Sequence, residues 1–136
     1  MTGPSPHLSW AELACADGTE YPHAWRASRA VALARAFEAL RAAVGQPLVV
    51  LSGYRTPGHN KRIGGAKASQ HVEGRALDLR PPAGWTPDDL ADMARDCPGI
   101  TGLGVYPTFV HIDVRPATRL HTWRGSRPVA DKGRRD

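Results

Sequence analysis

The sequence predicts an α+β fold, a small and mainly antiparallel sheet with helices packed on one face. Three observations predict it. Helical periodicity appears before and between the strand-like runs rather than after each of them. Those runs are short, and two of them alternate polar and apolar residues. The last pair is joined by a tight turn around Pro107-Thr108, which suits antiparallel neighbours. At 136 residues the chain is long enough to bury one core without disulfide or metal support. Residues 1–124 are expected to form one domain, and 125–136 a basic, loose tail.

The elements follow in chain order. Ser9-Trp10-Ala11-Glu12 fits a capping box and starts a short helix over about 9–14. A longer helix spans about 27–44, with Leu33, Phe37, Leu40 and Val44 on one stripe and Gly45 placed to end it. Pro47 opens the run Leu48-Val49-Val50-Leu51, a buried strand that delivers Ser52-Gly53-Tyr54-Arg55 at its exit. Residues 56–70 read as a loop with one helical turn near 57–63. A second strand covers about 75–80 and stops at Pro81-Pro82. Thr86-Pro87-Asp88-Asp89 starts a helix that ends near Asp96, before Pro98-Gly99. Strands are expected at about 102–106 and 109–114. Beyond Arg115-Pro116 only Leu120 and Trp123 look able to pack back on the body.

Charge is unevenly placed. From Arg115 to Asp136 there are seven basic and two acidic residues, so this stretch carries the whole net charge of +5. The rest has eleven of each sign. A basic end on a neutral body suits contact with an anionic polymer, whereas no nucleic-acid module is recognisable. Cys15 and Cys97 show no metal-type spacing and read as two reduced residues. The start, MTGPSPHLSW, has no secretory pattern, and no apolar run approaches the roughly 20 residues of a membrane span. A soluble monomer is expected.

Chemistry concentrates on two strands. Phe109, His111 and Asp113 share one face of the last strand, while Val110, Ile112 and Val114 form the core face. Leu77 and Leu79 likewise point inward, with Ala76, Asp78 and Arg80 opposite. If the strands are close, His111, Asp113 and Asp78 converge, and His71 reaches them from the preceding loop. Two imidazoles and a carboxylate suit Zn2+ and leave a fourth position for water, whose pKa the ion lowers to about 7. His71, Asp78 and His111 are therefore the candidate ligands of one catalytic zinc. Asp113 is a spare acid able to carry a proton. His7, His23, His59 and His121 share no such constellation.

The run Ser69-x-His71-x-x-Gly74-x-Ala76-x-Asp78, with His111 later, resembles the D-alanyl-D-alanine carboxypeptidase family of zinc peptidases. That family belongs with lysostaphin-type enzymes and the hedgehog signalling domain. Ser52-Gly53-Tyr54-Arg55-Thr56-Pro57, His59-Asn60, Gly64-Gly65 and Gly104-Val105-Tyr106-Pro107 look like the small branch found in phage endolysins and bacterial wall hydrolases. The resemblance covers about residues 8–123. It implies the same three zinc ligands. Arg55 would sit at the mouth of the site, binding a substrate carboxylate or polarising the scissile carbonyl. Ser69 would bind substrate or steady the loop that holds His71.

One position departs from the family. Many relatives carry an acid three residues before the last ligand, and here that residue is Thr108. Asp113 is the substitute base, or else the partner that orients His111. The expected activity is hydrolysis of amide bonds in peptidoglycan peptides, as carboxypeptidase or endopeptidase. The protein would be cytoplasmic until released to the wall, or virion-associated, with its tail on anionic wall polymers. Two rivals are a non-catalytic zinc-containing module and a phage structural protein of the same fold.

Overall fold

Ser9 and Thr86 open their helices with reciprocal capping. In each, the side-chain oxygen accepts the backbone N–H three residues on, and that residue's carboxylate, Glu12 or Asp89, accepts the cap's own N–H. The computed structural model describes residues 2–126. Its helices are α1 (Trp10–Leu13), α2 (Arg29–Val44), α3 (Pro57–Arg62) and α4 (Pro87–Arg95), with a 3-10 turn at His23–Trp25. Gly45 ends α2 in the left-handed conformation, φ 76°, and donates its N–H to Arg41 O.

Five strands make one sheet: β1 (Val49–Ser52), β2 (Ala76–Arg80), β3 (Gly102–Val105), β4 (Val110–Asp113) and β5 (His121–Arg124). Their spatial order is β1-β2-β4-β3-β5, antiparallel except for the β3–β5 pair. This is the α+β architecture that the sequence predicts. On the core face, Leu77, Leu79, Leu103, Val110 and Ile112 pack with Leu33, Phe37 and Leu40 of α2 and Leu90 of α4. Side chains alternate along each strand, so the other face carries Asp78, His111 and Asp113.

The face opposite the core is itself covered: Ala76, Asp78, His111 and Asp113 are all buried. Residues 121–124, where only packing of Leu120 and Trp123 on the body is expected, form a strand. The basic tail falls almost wholly on residues 127–136, outside the described ones. Cys15 and Cys97 are both free and buried. No helix among the described residues is long and apolar enough to cross a membrane.

Candidate metal centre

Register places the first pair of site residues. β2 and β4 align so that Asp78 lies directly opposite His111, and Ala76 opposite Asp113. His71 arrives from the turns before β2, where its N–H is held by Ser69 Oγ at 3.1 Å. Its carbonyl accepts Arg55 N–H at 3.1 Å, which ties the two loops together.

Hydrogen bonds then fix which nitrogen of each imidazole faces inward. His71 Nδ1 lies 2.7 Å from Gly53 O, and a carbonyl can only accept, so Nδ1 carries the hydrogen. His71 Nε2 is thereby turned toward Asp78 Oδ1 at 3.0 Å. His111 Nε2 donates to Asp113 Oδ2 at 2.7 Å, which leaves His111 Nδ1 facing the same Asp78 Oδ1 at 3.2 Å. Two imidazole lone pairs and a carboxylate oxygen therefore converge on one small space. Three acceptors so close repel one another unless a cation lies among them. All three residues are buried, and their ligand atoms lie within 4.8 Å of one another. The donor set fits Zn2+, with room for a fourth ligand from the pocket.

The surrounding charges are paired. Asp78 Oδ2 accepts Arg55 Nη2 at 2.9 Å, so one carboxylate oxygen serves the site and the other the guanidinium. Burial alone would raise the Asp78 pKa. When the inward nitrogens carry protons in place of an ion, the charge on His71 and hydrogen bonds from both imidazoles overcome it and hold the carboxyl well below the usual range. Burial depresses the His71 pKa. On His111 burial acts the same way, but the hydrogen bond to Asp113 and, in that protonated form, the one to Asp78 prevail and raise it.

Arg55 lies on the floor of the pocket, not at its mouth. It is 2% exposed, and besides Asp78 it donates to Ser52 Oγ at 3.0 Å and Asn60 Oδ1 at 3.2 Å. Asn60 in turn donates to Ala66 O, which organises the loop above the site. Asp113 is completely buried. It accepts His111 Nε2 and three N–H groups of Arg115, the backbone at 3.1 Å and the guanidinium at 2.9 and 2.7 Å. Burial would raise its pKa, but these bonds hold it well below the ordinary carboxylate value. Ser69 lines the pocket, Thr108 is exposed in the β3–β4 turn, and Glu73 pairs with Arg29 on the surface.

The pocket above the ligands measures about 280 Å3. One wall is aromatic: Tyr106 stacks on Phe109 with ring centroids 4.5 Å apart, and Trp123 Nε1 donates to Tyr106 Oη at 2.9 Å. Asp78 is the only carboxylate among its described lining residues.

Comparison with family models decides the kinship. The model described as Peptidase M15 matches residues 6–113. The chain belongs to the Peptidase M15 family. This is a zinc peptidase family of D-Ala-D-Ala carboxypeptidase-like enzymes. No curated protein matches the chain. The M15 match ends at Asp113, so Arg115 and Trp123 are features of this chain beyond the matched segment.

Several contributors to this M15 site went unread in the sequence. Arg115 clamps Asp113, and Trp123 closes the aromatic wall. Gly102 and Gly104 make room for both: a Cβ on Gly102 would collide with the Asp113 carboxylate, and one on Gly104 with the Trp123 ring. Glycine at alternate positions of a strand is a signal of such close approach. Nor is His59 isolated, since it lies beside Cys15 and Asp17.

Proposed function

We propose that this M15 chain is a zinc peptidase that hydrolyses amide bonds in peptidoglycan peptides. The observation that carries the reading is the convergence of His71 Nε2, His111 Nδ1 and Asp78 Oδ1 at the floor of an open pocket. His71, Asp78 and His111 would hold the ion. When bound, zinc supplies Lewis acidity toward the scissile carbonyl and activates a water at neutral pH.

The chain's own residues do the rest. Gly53 O and Asp113 lock the tautomers of the two imidazoles, and Arg55 fixes the rotation of Asp78. Asp113 acts as a positioning residue for His111, because its oxygens are already taken by four donors. Gln70 lines the pocket, where its amide can meet the substrate backbone. Tyr106 Oη, held by Trp123, presents a hydroxyl on the pocket wall that can donate to the substrate. The peptidoglycan assignment rests on the sequence resemblance to wall hydrolases. The small pocket accommodates a short peptide.

Thr108 favours a second reading, a zinc-holding module without turnover, since no acid occupies the position that serves many relatives. One experiment separates them. Purified peptidoglycan from several wall types is incubated with zinc-loaded wild type, His71→Ala and chelator-treated protein, and the fragments are weighed by mass spectrometry. Hydrolysis with wild type alone is expected. Unchanged fragments in every wall type would overturn the peptidase reading and favour the module.

A further inference from the structure

Cys15, Asp17 and His59 stand apart from the peptidase site, and nothing in its chemistry uses them. One sulfur, one carboxylate oxygen and one imidazole nitrogen from these residues all lie within 4.8 Å of one another. Two stretches distant in sequence meet to make the group. After α1 the chain turns tightly, with Gly18 N–H donating to Cys15 O at 3.0 Å and Cys15 N–H to Thr19 O at 2.8 Å. Gly18 takes φ 98°, which glycine adopts without strain. That turn brings Asp17 beside the Cys15 thiol, which donates to its carboxylate. His59 comes from α3, and Thr56 at the start of that helix donates its hydroxyl to Asp17 Oδ2 at 3.0 Å.

We propose that Cys15, Asp17 and His59 form a second metal site, for Zn2+ or a similar ion such as Co2+. Thiolate and imidazole suit borderline-soft cations and disfavour Mg2+ and Ca2+, which take oxygen shells. Three protein ligands with one water complete a tetrahedron. Binding is balanced: the Cys15 thiol proton leaves to solvent, a sulfur–metal bond forms, and thiolate and carboxylate match the two positive charges. Asp17 Oδ1 accepts the Thr19 N–H and Oδ2 the Thr56 hydroxyl, and loss of the Cys15 thiol proton frees the side of the carboxylate that faces sulfur for the ion. Cys15 is 3% exposed while Asp17 is open, so the ion enters past the carboxylate and ends against sulfur. Arg62, 3.9 Å from Asp17 Oδ2 and largely exposed, is able to swing aside.

The site would be structural. It ties the turn after α1 to α3, and between them runs the loop that supplies Gly53 to His71 and Arg55 to Asp78. Tyr54 N–H already donates to Leu13 O along the same seam.

Cobalt distinguishes the two sites, because the peptidase group contains no sulfur. The full chain loaded with Co2+ should bind about two equivalents and show a near-ultraviolet thiolate-to-cobalt charge-transfer band. Cys15→Ser and His59→Ala should each abolish the band and about one equivalent, while Cys97→Ser leaves both. His71→Ala should lose the other equivalent and keep the band, so failure of the peptidase reading and failure of this one are told apart. Absence of the band in wild type overturns the proposal, as does a band that survives Cys15→Ser or depends on Cys97. Should Cys15→Ser fold poorly, the wild-type spectrum and His59→Ala still decide.

Discussion

The two faces of β2 and β4 are equally dry and held together by opposite means. Leu77, Leu79, Val110 and Ile112 on one side are fully buried, and so, to within a few per cent, are Asp78 and Asp113 on the other. The apolar face is stabilised by area removed from water, a force that tolerates small changes of shape. The polar face survives burial because its charged atoms meet opposite partners: Asp78 with Arg55, Asp113 with Arg115, and each imidazole with a fixed acceptor. Burial alone therefore does not mark a core. What differs is the consequence of deleting one member.

The largest effect is expected where a partner is stripped from a buried charge. Asp78→Ala leaves the Arg55 guanidinium without that carboxylate and should destabilise the fold by about 3–5 kcal/mol, with loss of bound metal. Leu77→Ala, one residue away on the other face, should cost about 2–5 kcal/mol and keep metal content unchanged. Denaturant unfolding with metal analysis of both variants checks the contrast. Equal metal loss in both would break it.

A smaller effect separates the two roles open to Asp113. As the positioning partner of His111, its replacement in Asp113→Asn should weaken metal affinity by about 10–100-fold, measured by competition with a chelator. A proton carrier would instead leave affinity intact and lower kcat alone.

The most gradual difference lies in pH. Asp78 and Asp113 both have pKa values held below the usual carboxylate value. A depressed folded pKa contributes stability that is present above the unfolded value, about 3.9, and is lost as pH falls through the folded value. The stability gap between wild type and Asp113→Asn should thus shrink below about pH 3.9, while the gap to Leu77→Ala stays nearly constant. Urea midpoints across that range give the answer. A gap for Asp113→Asn that persists at the lowest pH would sink the electrostatic account.

Strand alternation made most of the site legible in the sequence. A period of two assigns every residue of 75–80 and 109–114 to a face, so Asp78, His111 and Asp113 could be grouped before any coordinates. A capping box at Ser9 and the Thr86-Pro87-Asp88-Asp89 start marked two helices for a similarly local reason. Strand β5 left no comparable trace. His121-Thr122-Trp123-Arg124 is an edge strand with mostly exposed side chains, and it pairs with a glycine-bearing strand, so no apolar rhythm announces it. The burial of Arg55 was equally hidden, since its carboxylate lies 23 residues away and only the folded path brings them together. The same holds for Cys15, Asp17 and His59, which the turn after α1 and the short helix α3 bring together.

The direct opposition of Asp78 and His111 across β2 and β4 has a consequence for errors of folding. A slip of one residue would exchange His111 for Val110 or Ile112 and send the imidazole into the core. The ligand set exists in one alignment of the sheet and in none of its neighbours. On the proposed reading, a chain paired out of register would have no place for an ion and no means of cutting its substrate.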